Sequence, residues 1–332
     1  MIRRTFTPRR LAAAVAVALA LPLAACGSSS DDASSDQAWT YTDDLGTTLE
    51  LDKAPERIVA QSSVAAALTD LGLGDKIVGV FGPVKNADGD VDSQAAGLDV
   101  DSVEDVTGEG EYGDIDLEKM AGLKPDLIVT SSYVEPDLWY INKDAQTKLD
   151  KQYQTLVISF DGKTLPQIIE STEKAAKALG ASDDAGEKGQ EAFDAAKQRL
   201  TDVAEGAKPS ILAVSYSPDL FYVSNPDVSP DLKYYRDEIG LDIVTPKNPD
   251  EGGYFESLSW EKADTYDADI AYWDDRIGSA GLAALKKEPV WGKTTAAKND
   301  AYIPWTSVAP PSAQAYADIF DRFADGLEKY TR

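Results

Sequence analysis

The order of apolar segments predicts an α/β protein of two lobes with mostly parallel sheets, joined by a rigid long helix. Three observations lead there. Short apolar runs alternate with helical patterns up to residue 160, two long helical stretches occupy 165–204, and the alternation resumes at residue 211. Trp39–Leu51 alternates around Asp44-Leu45-Gly46, a β-hairpin pattern. Arg57–Ala60, Ile77–Phe81, Asp126–Thr130 and Thr155–Phe160 read as buried strands, with helical patterns such as Ser63–Leu71 and Leu117–Leu123 between them. Leu165–Leu179 is a helix, and Gly180–Asp184 breaks it. The next helix, near Ala185–Ala204, carries Ala192, Phe193, Ala196, Leu200 and Val203 on one stripe. It makes a rod of about 30 Å. Strands follow at Ile211–Tyr216, Leu220–Ser224, Leu241–Val244, Ala268–Trp273 and Ala301–Trp305. Leu232–Ile239 and Trp260–Thr265 are helical, and Ser312–Tyr330 is the closing helix. The expected lobes are 39–164 and 208–332, with 165–207 bridging them.

The first 25 residues read as an export signal. Arg3, Arg4, Arg9 and Arg10 precede a 13-residue apolar run, Leu11–Leu23. That run is shorter than the about 20 residues a membrane-spanning helix needs, and it has signal-peptide proportions. It ends in Leu23-Ala24-Ala25-Cys26, which resembles the lipobox of bacterial lipoproteins and implies lipidation of Cys26. Residues 26–38 are then a lipidated Cys and a polar, flexible tether. The expected location is the extracytoplasmic face of the cell membrane, anchored by that lipid.

Composition excludes several functions. The chain of 332 residues has a formal charge of −26, which repels nucleic-acid phosphates. It has no histidine, so Ser-His-Asp and Cys-His catalysis and imidazole zinc sites are out of reach. Its single cysteine permits neither an intramolecular disulfide nor a CxxC pair.

Two segments echo each other. Ile115–Val129 and Leu258–Tyr272 both run apolar-polar-apolar-Glu-Lys, then a short helix, then Asp and a buried strand. Glu118 and Glu261 occupy the same place in each, in a first helical turn where a carboxylate suits the dipole. With Ala54–Val59, the Leu71–Val80 helix-to-strand step and Leu123–Val129, this order resembles the substrate-binding proteins of ABC importers, in the class that takes ferric siderophores, haem or vitamin B12. The resemblance implies two Rossmann-like lobes in the class III periplasmic-binding-protein fold and a non-enzymatic, monomeric protein. It also implies that Glu118 and Glu261 dock onto Arg pockets of the permease.

Ligands of open α/β sheets bind beyond the carboxyl ends of the strands. In the first lobe those positions offer Gln61, Ser62, Phe81, Tyr133, Trp139 and Tyr140. The second offers Tyr216, Tyr222, Tyr254, Phe255, Trp273, Arg276 and Trp305, with Arg236 as a further cation. Aromatic walls with one or two arginines suit a bulky chelate whose methylenes face outward and whose oxygens surround the metal. The chelator then supplies the whole iron shell, so no cofactor or direct metal ligand is expected. Basic residues near strand ends are few: Lys85, Arg276 and Lys247, while Asp274-Asp275 opposes an anion. This favours a neutral or cationic ferric trihydroxamate, such as a ferrioxamine, over an anionic catecholate. Haem or vitamin B12 is the alternative cargo. A carboxylate-dependent hydrolase is the alternative class; it needs two carboxyls about 5–9.5 Å apart, and Glu118 and Glu261 sit on separate lobes.

Overall fold

The structure, a computed structural model, describes residues 38–86, 89–206 and 208–331. The expected signal peptide, Cys26 and the tether up to residue 37 lie outside these residues. Among the described residues no helix is long and apolar enough to cross a membrane.

The expected hairpin forms from β1 (Trp39–Thr42) and β2 (Thr48–Leu51), with Trp39 opposite Leu51. The first lobe is built on β3 (Ile58–Gln61), β4 (Ile77–Phe81), β5 (Glu104–Asp105), β6 (Leu127–Ser132) and β7 (Thr155–Ser159). They run parallel in the order β5-β4-β3-β6-β7. Helices α1 (Ser62–Leu68), α2 (Leu117–Leu123), α3 (Lys143–Leu149) and α4 (Leu165–Ala178) cover this sheet. Apolar residues of α1 and α4 share one core with alternate strand residues, and those of α2 and α3 share another. A sheet covered on both faces buries every strand position, which is why β3 and β6 read as continuous apolar runs.

The second sheet has the order β11-β9-β8-β12-β13. Its strands are β8 (Ser210–Tyr216), β9 (Phe221–Ser224), β10 (Asp242–Ile243), β11 (Phe255–Leu258), β12 (Ile270–Asp274) and β13 (Tyr302–Trp305), with β10 paired to the start of β8. Here β8, β10, β12 and β13 are parallel, while β9 and β11 are antiparallel to their neighbours. The reversal at β9 follows from its short connection. Ser217 N–H bonds the Leu220 carbonyl at 2.8 Å, and so short a link can close a hairpin but not a parallel crossover.

Helix α5 (Glu187–Gly206) is the expected rod, with Phe193, Ala196 and Leu200 buried as expected and Ala204 added. It begins beside the first lobe, where Gly186 abuts Leu71, and leads into β8. Its stripe packs on the closing helix α9 (Ala313–Thr331), with the Phe193 and Phe320 rings 5.0 Å apart. The approach is close: a Cβ on Gly189 would lie 3.0 Å from the Gln314 nitrogen. The core that spans the lobes belongs to α4. Ile168, Ala175 and Ala176 enter the first-lobe core, while Leu165 and Ile169 enter the second. Helix α6 (Pro230–Tyr234) shares the α5–α9 core, and α7 (Gly278–Leu285) and α8 (Thr295–Lys298) cover the opposite face around fully buried Trp291.

Candidate functional site

In the first lobe, β6 ends in Thr130-Ser131-Ser132, and these residues pin the loop that follows. Trp139 N–H bonds the Ser131 carbonyl at 2.8 Å, Thr130 Oγ1 donates to the Trp139 carbonyl at 2.9 Å, and Ser132 Oγ to that of Asp137 at 2.8 Å. The loop thereby holds Tyr133 and Trp139 with ring centroids 4.7 Å apart, while Phe160 backs Tyr133 at 4.6 Å. Tyr140 lies edge-on to Trp139 at 5.4 Å. Gly82 (φ +89°) makes room beside it, since a Cβ there would sit 3.3 Å from the Tyr140 ring.

The second lobe supplies the facing wall. Asp274 ends β12 and is 1% exposed; it holds Arg276 through Nε at 2.9 and 3.1 Å and through Nη2 at 2.6 Å. Ser307 Oγ donates to the same carboxylate at 2.9 Å. Trp305, at the end of β13, donates Nε1 to Asp231 Oδ2 at 2.6 Å. The lobes meet where Tyr254 Oη donates to the Tyr133 carbonyl at 2.8 Å and Ser93 Oγ to Asp275 at 2.9 Å. Between the walls lies a cavity of about 140 Å³, which Tyr133, Trp139, Asp231, Tyr254, Phe255, Arg276 and Trp305 line together with neighbouring residues.

Six expected residues thus line one cavity: Tyr133, Trp139, Tyr254, Phe255, Arg276 and Trp305. Tyr140 adjoins them through Trp139, and Tyr222 through Phe255 at 6.0 Å. The other positions need correction. Gln61 and Ser62 are fully buried; Gln61 caps α1, accepting from the N–H groups of Ser63 and Val64 and donating to Ser62 Oγ. Phe81 is fully buried in the core with Met120 and Ile128. Tyr216 and Trp273 pack into the cluster around Trp291, and Tyr216 Oη bonds the Gly281 carbonyl. Arg236 is held at the surface by Asp227 and Asp237 at 2.6 and 2.8 Å. A strand end marks the right edge of the sheet, but successive side chains leave it on opposite faces. Reading the edge alone cannot separate Trp305 from Trp273. Two residues escaped the sequence reading. Tyr112 packs against Tyr140 with the rings tilted and their centroids 4.9 Å apart, and its setting in Gly110-Glu-Tyr-Gly113 is a usable signal. Asp231 stands between Ser229-Pro230 and the expected helix, and nothing in its local sequence marks it as a cleft residue.

Glu118 and Glu261 are both exposed. Asp116 caps α2 by accepting from the N–H groups of Glu118 and Lys119 at 3.1 and 3.0 Å. Glu261 stands in a single 3₁₀ turn, Trp260–Lys262, where its own N–H and the Ser259 hydroxyl hold its carboxyl below the usual range.

Burial opposes the Arg276 charge, but the bonds and charge of Asp274 outweigh it and hold the guanidinium above its ordinary pKa. Burial pushes Asp231 and Asp275 up to about 6, against bonds from Trp305 and from Thr306 and Ser93 respectively. Both native values lie above the 3.8 of the free group. The folded state therefore binds more protons than the unfolded state between about pH 4 and 6, and these groups add stability as pH falls through 6. Each is expected to contribute about 1 kcal/mol between pH 8 and pH 5. Thermal melts over that range should show the rise, and the double variant Asp231→Asn, Asp275→Asn should flatten it. An unchanged slope in that variant rejects the assignment.

Residues 58–309 match the sequence model of the periplasmic binding protein family. Among solved structures, DesE, a ferric-siderophore receptor protein from Streptomyces coelicolor, is 36% identical with a TM-score of 0.79, covering 89% of this chain and 100% of its own. The Desferal-bound siderophore binding protein FhuD from Vibrio cholerae is 16% identical with a TM-score of 0.61, over 83% of this chain and 99% of its own. The petrobactin-binding protein YclQ from Bacillus subtilis is 19% identical with a TM-score of 0.62, over 88% and 99%. No curated protein sequence matches the chain.

Proposed function

The chain belongs to the periplasmic binding protein family, and on that premise we propose that it captures a ferric siderophore of hydroxamate type between its lobes and delivers it to an ABC importer. The aromatic cavity shared by both lobes, with Arg276 on its wall, carries this reading. Rings of Tyr133, Trp139 and Tyr254 offer flat apolar faces for the chelator's methylenes. The Arg276 fork offers donors to chelate oxygens. Among the described residues no group of three or more His, Cys, Asp or Glu is placed to hold a metal ion. Iron in this reading arrives inside its chelate and is never ligated by the protein. The 36% identity to a ferric-siderophore receptor supports the cargo class.

At about 140 Å³ the cavity is smaller than the roughly 300–1,000 Å³ of ordinary ligand pockets. In this reading part of a bulky chelate stands outside the cavity or the cleft widens around it, and the Tyr254–Tyr133 bond is one contact between the lobes that such widening would strain. Delivery uses Glu118 and Glu261 as docking points for the permease, and lipidated Cys26 keeps the protein at the extracytoplasmic membrane face.

Titration with a ferric trihydroxamate such as a ferrioxamine should quench tryptophan fluorescence stoichiometrically, because Trp139 and Trp305 line the cavity. Ferrioxamine, ferrichrome and ferric citrate all leaving the signal unchanged at micromolar concentration overturns the cargo assignment.

A further inference from the structure

The cavity wall carries one guanidinium, Arg276, and one carboxylate, Asp231. Asp274, which does not line the cavity, engages Arg276 through both oxygens, so the one basic side chain among the described residues of the wall enters the site with its charge balanced. Asp231 is different. It is 6% exposed, lines the same cavity, and accepts from Trp305 Nε1 at 2.6 Å and from the Leu232 N–H at 2.8 Å. Both donors are neutral, and among the described residues no Lys or Arg forms an ion pair with it. Trp305 and Leu232 use one bonding direction on each oxygen, and a carboxylate offers about four.

We infer that Asp231 is the charge-selecting residue of the cleft: with Arg276 already balanced by Asp274, its carboxylate favours a ferric chelate that brings a protonated amine or other cationic group to the second-lobe wall, and disfavours an anionic one. The inference rests on the capture reading above and deepens it. The overall charge of −26 acts from a distance and is screened within about 8 Å at physiological salt. A carboxylate in the cavity wall is screened much less, so discrimination resides in this residue and survives moderate salt.

The test compares three ferric trihydroxamates that share one iron-binding core. One ends in a free ammonium, one in the acetylated amine, and one in a succinylated amine that carries a carboxylate. Calorimetric titration of the wild type should rank the cationic chelate at least about tenfold above the anionic one, the size of one charge–charge interaction across a partly desolvated cleft. Asp231→Asn should close most of that gap, weakening the cationic chelate and strengthening the anionic one, with the acetylated chelate changed least. If Asp231→Asn does not fold, the double variant Asp231→Leu, Trp305→Phe removes the carboxylate and its indole donor together and should give the same narrowing. The inference is overturned if the wild type binds all three chelates within about twofold, or if the gap persists in a folded variant. If none of the three binds the wild type, the capture reading fails, and this inference fails with it.

Discussion

Arg276→Ala is expected to destabilise the protein by about 3 kcal/mol, because it leaves Asp274 buried without its cation. The cost falls at the low end of the range for broken buried pairs. Ser307 Oγ and the residue 276 backbone N–H still donate to that carboxylate. The same change should weaken capture of a ferric trihydroxamate roughly 10- to 100-fold, the worth of a hydrogen bond from a charged donor. One substitution thus moves two quantities for two reasons. The pair Arg276→Ala, Asp274→Asn separates them: it should recover most of the stability in urea unfolding while leaving affinity low. Recovery of both would mean that Arg276 serves only the wall's structure and does not touch cargo.

Replacing both Glu118 and Glu261 with alanine should bring uptake of a labelled chelate to background while changing cargo affinity less than about twofold. The two carboxylates stand on separate lobes, exposed, at the starts of short helical turns. Truncating a charged partner in an interface costs about 2–5 kcal/mol per site, so two losses suffice to release the permease. Each single variant should retain partial uptake. Uptake assays in cells carrying only the variant, alongside fluorescence titration of the purified protein, give both readouts. Normal uptake by the double variant rejects the docking assignment, and a large loss of cargo affinity shows that these carboxylates belong to the cleft or to the fold.

Much of the fold was legible because it is written in local periodicity. The buried strands of the first lobe and the stripe on α5 announce themselves by runs and spacings of apolar residues. Several short elements were not. β5, β11, α3, α7 and α8 span between two and eight residues, and none carries a continuous run of buried apolar residues. The cleft was legible in outline for the same reason as the strands: the carboxyl edge of each sheet can be counted from sequence. Which side chains on that edge meet cannot. Phe81, Gln61 and Ser62 sit at strand ends and are sealed in the first lobe, while Asp231 is remote in sequence from both Trp305 and Arg276.

The sequence by itself determined the two α/β lobes, the rod, the paired glutamates and the aromatic, histidine-free character of the cleft, because each depends on composition or on spacing within one segment. Tertiary structure alone decided that α4 spans both cores, that Arg276 is balanced by Asp274, and that Asp231 faces the cavity. Those facts turn on distances between residues far apart in the chain, which packing of the assembled cores sets and no local pattern encodes.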